Sequence, residues 1–414
     1  MKMVNGFENM LAGSLNLEEP WYISGAEFDN ERKVIDVYVG IREGALFVCP
    51  RCGRATTRYG YEPTERVWRH ADCLFYPCYV HCKRPRVCCE HCGVVQVRAP
   101  FERANSRFTL LFEGYAMLIM ADVPRRKASR LLRCNEKSLA NILSYWVHDA
   151  VSKMDLSDVT KLALDDTSFK RGHEYVTVTI DALKRRVFDV QQGRKKAAVG
   201  RMKEKLERQG GAAENILAVT SDMSTSYLPA VRDYFPNAEQ IIDKFHVKQV
   251  LIKALDEVRK QEQRETGEKG KLFQHRYFFM TPKRRMTEKQ LSKLTALSKS
   301  YPKTGRAFRI VQALDEFYLC NSVKEAEKKL KELCSWMRRS RLEPMKEAAL
   351  TLIRHKKEIL NYFHDRLTNA VCEGINSMIQ AAKRKARGFN TYEGFEAMIY
   401  LIGGKLELAV KAPF

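Results

Sequence analysis

Three acidic residues that lie far apart along the chain could together hold divalent cations for phosphodiester chemistry. Asp165 and Asp222 each follow a short apolar run, and Glu373 lies in a polar helical pattern near the carboxyl end. Carboxylates that converge at one edge of a sheet can hold two magnesium ions about four ångströms apart, which activate a water or a 3′ hydroxyl and stabilise the leaving oxygen. Asp165, Asp222 and Glu373 are therefore candidate catalytic residues and candidate ligands of Mg²⁺ or Mn²⁺.

Glu373 belongs to a set of polar residues that share one helix face. The set is Asn369, Glu373, Asn376, Gln380, Lys383 and Arg387, spaced by four, three, four, three and four residues. Such a face could reach metal and nucleic acid together, so Lys383, Arg384 and Arg387 are candidate DNA-binding residues. A solvated polar face explains the same spacing, and without further support it is the better interpretation.

Two Cys-x-x-Cys-Gly hooks predict a structural zinc site. They lie at Cys49 to Gly53 and at Cys89 to Gly93. The two-residue spacing lets both thiolates of a hook bind one tetrahedral ion, and the glycine allows the tight turn. We expect a zinc ribbon whose Zn²⁺ ligands are Cys49, Cys52, Cys89 and Cys92. Four thiolates leave no open position for water, so this zinc would not be catalytic.

Four further cysteines in the same stretch have no clear role. Eight of the twelve cysteines lie between Cys49 and Cys92, and in a reducing cytosol such clustering favours metal over disulfides. The remaining four, Cys73, Cys78, Cys82 and Cys88, could form a second site with His81 or His91. Their spacing matches no simple hook, so burial as small hydrophobic residues is favoured.

The charge of the chain favours a polyanionic partner. Its formal net charge is +22, and nucleic acid is the commonest partner of such an excess. The first residues lack the basic-then-apolar layout of a signal peptide. The longest apolar stretch, Phe108 to Val123, contains Glu113 and is too short to span a bilayer. We expect a cytoplasmic, nucleoid-associated protein without a membrane partner.

The elements around the acids predict how they are positioned. Strands are predicted over Lys161–Asp166, Tyr175–Asp181, Arg186–Gln192, Ile216–Asp222 and Gln240–Asp243, with helices at 195–209 and 224–234. This element order is that of the ribonuclease-H-like fold, in which the strands ending in Asp165 and Asp222 are neighbours. Helical patterns continue over 246–368, 367–388 and 392–409.

A helical pair precedes the first of these strands. Helices are predicted over Arg126–Leu132 and Glu136–Asp149, with a turn between them and Asn135 as a candidate cap of the second helix. The pattern resembles a helix-turn-helix, whose second helix would lie in the major groove. Lys137, Ser138 and Asn141 would then face bases or phosphates, although many helical hairpins share the pattern.

Together these patterns predict a multidomain α+β protein. We expect a strand-rich zinc-ribbon DNA-binding domain over residues 1–105, a helix-turn-helix over 106–155 and a ribonuclease-H-like α/β core over 156–245. A helical insertion is expected over 246–366. The C-terminal helices of the core, with Glu373, are expected over 367–414.

A set of short motifs runs through nearly the whole chain. It comprises Cys49–Gly53, Trp68–His70, Pro85–Val87, Cys89–Gly93, Phe108–Glu113, Leu164–Ser168, Lys170–His173, Tyr175–Thr177, Ser221–Ser224, Asp243–Val247, Glu373–Asn376, Lys383–Arg384 and Gly388–Phe389. Taken together, these motifs resemble the ISL-three family of insertion-sequence transposases.

The resemblance implies a DDE transposase with a helical insertion before its final glutamate. It implies DNA strand cleavage and strand transfer at the terminal inverted repeats of its own element, into target DNA, by an enzyme that forms a homo-oligomer on DNA. It carries the catalytic roles onto Asp165, Asp222 and Glu373. The family usually has Asp-Glu after the first strand, whereas this chain has Asp165-Asp166. The leading aspartate is kept, so we expect activity to be retained.

Two other functions stay open at this point. A catalytically inactive, transposase-derived regulator would keep only DNA binding, although such a protein would be free to lose the three acids that this chain has. A nuclease or resolvase with the same core would cut DNA without strand transfer.

Overall fold

The computed structural model describes residues 6–170, 174–193, 196–223, 227–267, 270–281 and 283–410. Parts of two motifs named above, Arg171–His173 and Ser224, lie outside the described residues. The chain divides into two compact units. Unit 1 comprises Met1–Ser152, Ala382–Leu401 and Leu406–Phe414, and unit 2 comprises Lys153–Ala381 and Ile402–Lys405. Within the described ranges, no helix has the length and apolar character needed to cross a membrane.

Unit 1 contains two small sheets followed by three helices. Its elements up to Ser152 are α1 (Gly6–Ser14), β1 (Trp21–Asp29), β2 (Val34–Ile41), β3 (Leu46–Val48), β4 (Ala55–Tyr61), β5 (Arg66–Cys73), β6 (Tyr76–Cys82), β7 (Pro85–Cys89), β8 (Gly93–Gln96), α2 (Leu110–Asp122), α3 (Arg125–Leu131) and α4 (Glu136–Ser152). The sheets have the strand orders β1-β2-β6-β5 and β3-β4-β7-β8. These eight strands agree with the strand-rich character that the sequence predicts for residues 1–105.

The sheet of β1, β2, β5 and β6 has an apolar core built by its alternating residues. Val39 of β2 and Val80 of β6 are buried beside Trp68 of β5. Trp68 packs edge-on against Phe101, with ring centroids 5.3 Å apart. Because Trp68 is buried, it serves the core of this sheet and offers no surface to a partner.

A buried carboxylate joins the helices of unit 1. Glu113 in α2 is fully buried and accepts hydrogen bonds from Arg103 Nε at 2.8 Å, Ser106 Oγ at 2.6 Å and Trp146 Nε1 of α4 at 2.6 Å. A buried charge is costly unless it is paired and fully hydrogen-bonded. These partners therefore fix the position of α4 relative to α2.

We expect protonation of the buried His70 in β5 to destabilise the folded protein. Its ring nitrogens lie 2.8 Å from Thr109 Oγ1 and 3.2 Å from Ser14 Oγ. Burial, assisted by the charge of Arg69, lowers its pKa from 6.5 to about 4. As the pH falls through this window, the unfolded chain takes up a proton that the folded chain does not. The free energy of unfolding should therefore fall by about 3 kcal/mol.

Urea unfolding of the full chain at several pH values measures this dependence. A His70→Gln variant should show a flatter dependence between pH 6.5 and 4. The same slope in the variant and the wild type would contradict the expectation.

Unit 2 contains a five-stranded mixed sheet with the order β11-β10-β9-β12-β13. Its strands and first helices are β9 (Lys161–Lys170), β10 (Glu174–Asp181), β11 (Arg186–Gln192), α5 (Lys196–Arg208), β12 (Ala218–Ser221), α6 (Tyr227–Tyr234) and β13 (Glu239–Ile242). Strands β9, β10 and β11 pair antiparallel, while β12 runs parallel to both β9 and β13. The predicted adjacency of the first and fourth strands is confirmed.

Strand β9 is longer than predicted, and Asp165 lies within it and not at its end. The sequence predicts a strand over Lys161–Asp166, but pairing with β10 continues as far as Lys170. Pairing with β12 on the other side covers only Lys161 to Ala163. Asp165 therefore lies just beyond the point where the parallel neighbour stops pairing.

Every element described between β13 and Asp365 is helical, as the sequence periodicity predicts. The remaining elements are α7 (Lys244–Thr266), α8 (Lys271–Gln274), α9 (Arg276–Met280), α10 (Glu288–Ser300), α11 (Pro302–Phe317), α12 (Val323–Arg339), α13 (Glu343–Arg354), α14 (Lys356–Leu360), α15 (Tyr362–Asp365), α16 (Ala370–Ala386) and α17 (Tyr392–Gly403). Helices from α7 to α15 share one apolar core with Ile241 and Ile242 of β13. The helical segment is thus packed onto the edge of the sheet.

Helix α16 ends before the last residue of the predicted polar face. Arg387 and Gly388 have positive φ angles of 59° and 98°, and Gly388 N donates to Lys383 O at 2.9 Å. A glycine in this conformation closes a helix. Arg387 therefore lies in the capping turn, and the polar face ends at Lys383.

Candidate functional site

Two aspartates of the site follow from the pairing of β9 with β12. Thr220 of β12 pairs with Ala163 of β9, and the same register places Asp222, one residue after β12, level with Asp165. Both aspartates therefore lie close to the point where the pairing of β9 with β12 ends.

Helix α16 and the residue before it contact this part of β9 directly. Asn376 Nδ2 donates to Asp165 Oδ2 at 2.7 Å, Gln380 Nε2 donates to Thr167 Oγ1 at 2.6 Å, and Asn369 Nδ2 donates to the Leu164 carbonyl at 3.1 Å. These three donors belong to the polar face that the sequence spacing predicts. Their contacts show that this part of the face is not merely solvated.

Glu373 lies on the same helix face, between the donors Asn369 and Asn376. Its side chain is exposed. Although the residue is exposed, partial desolvation of its carboxyl group raises its pKa, and the charges of Asp243 and Asp165 raise it further. Glu373 therefore lies within electrostatic range of the strand that carries Asp165.

Asp243 is a positioning residue that the sequence interpretation does not single out. It caps α7 by accepting from Phe245 N at 3.2 Å, and its other carboxylate oxygen accepts from Asn369 N at 3.1 Å. Asp243 is buried, so these bonds fix the start of α16 at the end of β13. One sequence feature could have identified Asp243: like Asp222, it directly follows a buried parallel strand.

Neighbouring acids contribute to the raised pKa values of Asp165 and His246. Burial raises the pKa of Asp165, and the charge of Asp222 adds to the effect. His246 Nδ1 lies 3.4 Å from Asp243 Oδ2, and this contact raises the pKa of His246, as do the charges of Asp222 and Asp165. The site thus concentrates negative charge, which a cation would stabilise.

Asp166 has different partners from Asp165. The Tyr227 hydroxyl of α6 donates to its carboxylate, and Thr177 Oγ1 of β10 lies 3.3 Å from its Oδ1. Burial raises the pKa of Asp166 to about 6, with further contributions from Asp222 and Asp165. Successive strand residues point to opposite faces, so α16 meets Asp165 and α6 meets Asp166.

The two sets of predicted metal ligands differ in how closely the structure groups them. The Sγ atoms of Cys49, Cys52, Cys89 and Cys92 all lie within 4.8 Å of one another. Among the described residues, Asp165, Asp222 and Glu373 do not form a group with such short separations. The cysteine cluster is therefore compact, whereas the three acids are not grouped this closely.

The cysteine cluster fits a tetrahedral ion. Zinc–sulfur bonds of about 2.3 Å place thiolates roughly 3.8 Å apart, and Cys52 Sγ lies 3.5 Å from Cys89 Sγ. Backbone N–H groups of Arg51 and Cys52 lower the pKa of Cys49 to about 7, while the neighbouring thiols raise that of Cys92 to about 12. One thiol of the cluster therefore ionises readily, and its negative charge disfavours ionisation of the others. A bound cation would neutralise this charge and favour the ionised form of all four.

The other cysteines of this stretch lie apart from the cluster. Burial raises the pKa values of Cys78 and Cys82 to about 12, as expected for small buried hydrophobic residues. Cys73 is half-buried and Cys88 is exposed, so the expected burial is wrong for Cys88. His81 instead contacts Asp36 and Glu65, at 2.9 and 3.1 Å. In the described part of the chain these cysteines join no second metal-binding group.

The residues predicted to contact DNA are accessible. On α4, Lys137 and Asn141 are exposed and Ser138 is half-buried. Asn135 caps this helix as predicted, accepting from Lys137 N at 2.7 Å. Near the carboxyl end, Arg384 and Arg387 are exposed and Lys383 is half-buried. Burial lowers the pKa of Lys383.

Comparison with known proteins assigns the chain to a family. The transposase model of the ISL-three family matches residues 162–399, which include all three acids. The transposase for insertion sequence element IS1557 of Mycobacterium tuberculosis is 25% identical over 388 residues, covering 87% of this chain and 86% of that protein. The transposase for insertion sequence element IS1001 of Bordetella parapertussis is 23% identical over 360 residues, covering 84% and 87%. The chain belongs to the ISL-three family of transposases.

Proposed function

We propose that the chain is a DDE transposase that cleaves and joins DNA at the ends of its own insertion sequence. The observation that carries the proposal is the hydrogen bond of 2.7 Å from Asn376 to Asp165. It holds the helix of Glu373 against the strand of Asp165, beside the strand that leads to Asp222. This contact supports a site in which three acids distant in sequence lie together, as metal-dependent strand cleavage requires.

The sheet of unit 2 supports a ribonuclease-H-like core. Three antiparallel strands are followed by two parallel strands in the order β11-β10-β9-β12-β13, and α5 and α6 come between the later strands. We propose that this unit is such a core, with the helices from α7 to α15 as an insertion before Glu373.

Asp165, Asp222 and Glu373 would hold Mg²⁺ or Mn²⁺. Carboxylate oxygens are the ligands that these hard cations prefer, and the pKa values of Asp165 and Glu373 are raised partly by neighbouring acids. The bound ions would supply neutralisation of charge at the scissile phosphate. The chain's own residues fix the ligand orientation, because Asp166 N and Asn376 Nδ2 hold one oxygen each of Asp165, at 2.8 and 2.7 Å.

Replacing Asn376 by alanine should lower the cleavage rate by roughly 10- to 100-fold, which is typical for loss of a group that orients a metal ligand. The variant should also need more Mg²⁺ for half-maximal activity, because one oxygen of Asp165 loses its donor. Ser377→Ala is the matched control, since Ser377 is an exposed neighbour on the same helix. Equal rates and equal Mg²⁺ requirements for the two variants would rule out this positioning role.

A cleavage assay separates this function from its alternatives. The substrate is duplex DNA containing the inverted repeats that flank the gene, incubated with the full-length protein and Mg²⁺. Nicking with strand-transfer products supports the transposase, and nicking alone indicates a nuclease or resolvase. Binding without nicking indicates a catalytically inactive regulator.

We further propose that unit 1 binds DNA. Helices α3 and α4 would act as a helix-turn-helix, with Lys137, Ser138 and Asn141 on the DNA side, and the cysteine cluster would be a zinc ribbon. Lys383, Arg384 and Arg387 would contact the DNA backbone. An element has two ends, so we expect a homo-oligomer to assemble on the DNA.

Changing both Lys137 and Asn141 to alanine should weaken binding to element ends more than binding to unrelated duplex. Each contact to a base edge contributes about 1–3 kcal/mol of discrimination, whereas phosphate contacts are independent of sequence. Titrations of the full chain at several salt concentrations measure both affinities. The charge-matched control is Arg208→Ala on α5. If the double variant lost the same affinity for element ends and for unrelated duplex, Lys137 and Asn141 would not recognise the base sequence.

A further inference from the structure

The hairpin between β5 and β6 ends in an exposed apolar tip. Cys73 pairs with Tyr76, so the two connecting residues are Leu74 and Phe75. Their side chains are 73% and 89% exposed. Large apolar side chains with so little burial contribute almost nothing to the core of unit 1.

The backbone of this tip is unfavourable for the residues that occupy it. Leu74 and Phe75 have φ angles of +50° and +67°, as in a two-residue turn in which both central residues are left-handed. Such turns strongly prefer asparagine followed by glycine, because a side chain with a Cβ crowds the backbone in this conformation. The requirements of the turn therefore do not explain these two residues.

The tip is fixed beside the start of α4. Arg133, in the turn between α3 and α4, donates from Nη2 to the Phe75 carbonyl at 3.0 Å. Its Nη1 lies 3.7 Å from Asp72 Oδ2 at the base of the hairpin. Behind the tip, Tyr76 packs edge-on against Phe28, with ring centroids 4.9 Å apart. Leu74 and Phe75 are thus held next to the end of α4 that carries Lys137.

We propose that Leu74 and Phe75 insert between neighbouring base pairs of duplex DNA, next to the segment contacted by α4. This inference rests on the proposed DNA binding of unit 1. Proteins that kink DNA place apolar side chains such as leucine and phenylalanine into a base step and partly unstack it. An apolar tip that Arg133 holds beside α4, the helix proposed to enter the major groove by its N-terminal end, has the chemistry and the location for that contact.

The test uses a variant that removes the apolar side chains and improves the turn. Leu74→Asn combined with Phe75→Gly supplies the preferred turn residues, so its melting temperature should equal or exceed that of the wild type. The probes are duplexes from the DNA flanking the gene, each with 2-aminopurine at a different position. The wild-type protein should raise the fluorescence several-fold at one or two adjacent positions, and the variant should not.

A matched control is Leu118→Gln on α2, which replaces an apolar side chain that is 48% exposed in the same unit. It should retain the fluorescence increase. If the wild type binds the duplexes without any increase, or if the variant retains it, base insertion is wrong while DNA binding stands. If the variant instead loses only self-association in sedimentation, the tip is a contact between copies. If the wild type does not bind the duplexes at all, the proposed DNA binding itself fails.

Discussion

Replacing Asp165, Asp222 or Glu373 by alanine is expected to abolish DNA cleavage while leaving DNA binding largely intact. Each acid would supply negative charge to the bound cations, and losing one electrostatic contact in an active site typically costs on the order of 10²- to 10³-fold in rate. The variants Asp165→Asn, Asp222→Asn and Glu373→Gln keep the shape but remove the charge, so they should be nearly as inactive. Cleavage of element-end DNA and binding in the presence of Ca²⁺ measure the two properties separately.

Asp166→Asn provides the matched control on the same strand. Asp166 contacts Tyr227 and Thr177, whereas Asp165 contacts Asn376 on α16. Asp166→Asn should therefore reduce the cleavage rate less than Asp165→Asn does. Cleavage that survives Asp165→Asn but not Asp166→Asn would identify Asp166 as the catalytic aspartate. Full activity in Glu373→Gln would refute the three-acid site.

Changing Cys52 to serine should remove zinc from the protein and unfold the sheet of β3, β4, β7 and β8. The four thiols lie within 4.8 Å of one another, and in small metal-bound domains the binding free energy is folding free energy, about 10 kcal/mol or more in zinc-finger peptides. Metal analysis of the purified chain should find about one zinc in the wild type and much less in the variant. The variant should also bind DNA more weakly, if the ribbon orients basic side chains.

Cys88→Ser is the control for this change. Cys88 is exposed and precedes Cys89 on β7, but it is not part of the cluster. Its replacement should leave the zinc content unchanged. A zinc-free wild type, or disulfides among the four cysteines in freshly reduced protein, would exclude the zinc centre.

The sequence predicts the parts of these sites that depend on local spacing. Each cysteine hook contains its own turn, with Gly53 and Gly93 at φ angles of +76° and +68°. A few consecutive residues are therefore enough to predict the zinc ligands of each hook. The donors on α16 also follow helical spacing, and the structure confirms that Asn376 and Gln380 face β9.

Features that depend on distant partners could not be predicted in this way. The length of β9 is set by its pairing with β10, and the role of Asp243 depends on Asn369, which lies 126 residues later. The tip at Leu74 and Phe75 is a further example. Neither residue favours a turn, so local preference points away from the conformation that strand pairing imposes.

The hydrogen bond from Asn369 N to Asp243 bears on where the length of the chain can change during evolution. It brings together the two ends of a long helical segment, since Asp243 caps α7 and Asn369 precedes α16. Segments whose ends lie close together can be lengthened or shortened without displacing the elements they connect. Helices α7 and α14 pack against the core that contains β13, so they must be kept. Length differences among relatives should therefore fall in the connections between the helices of this segment, while the arrangement of the three acids in the fold is preserved.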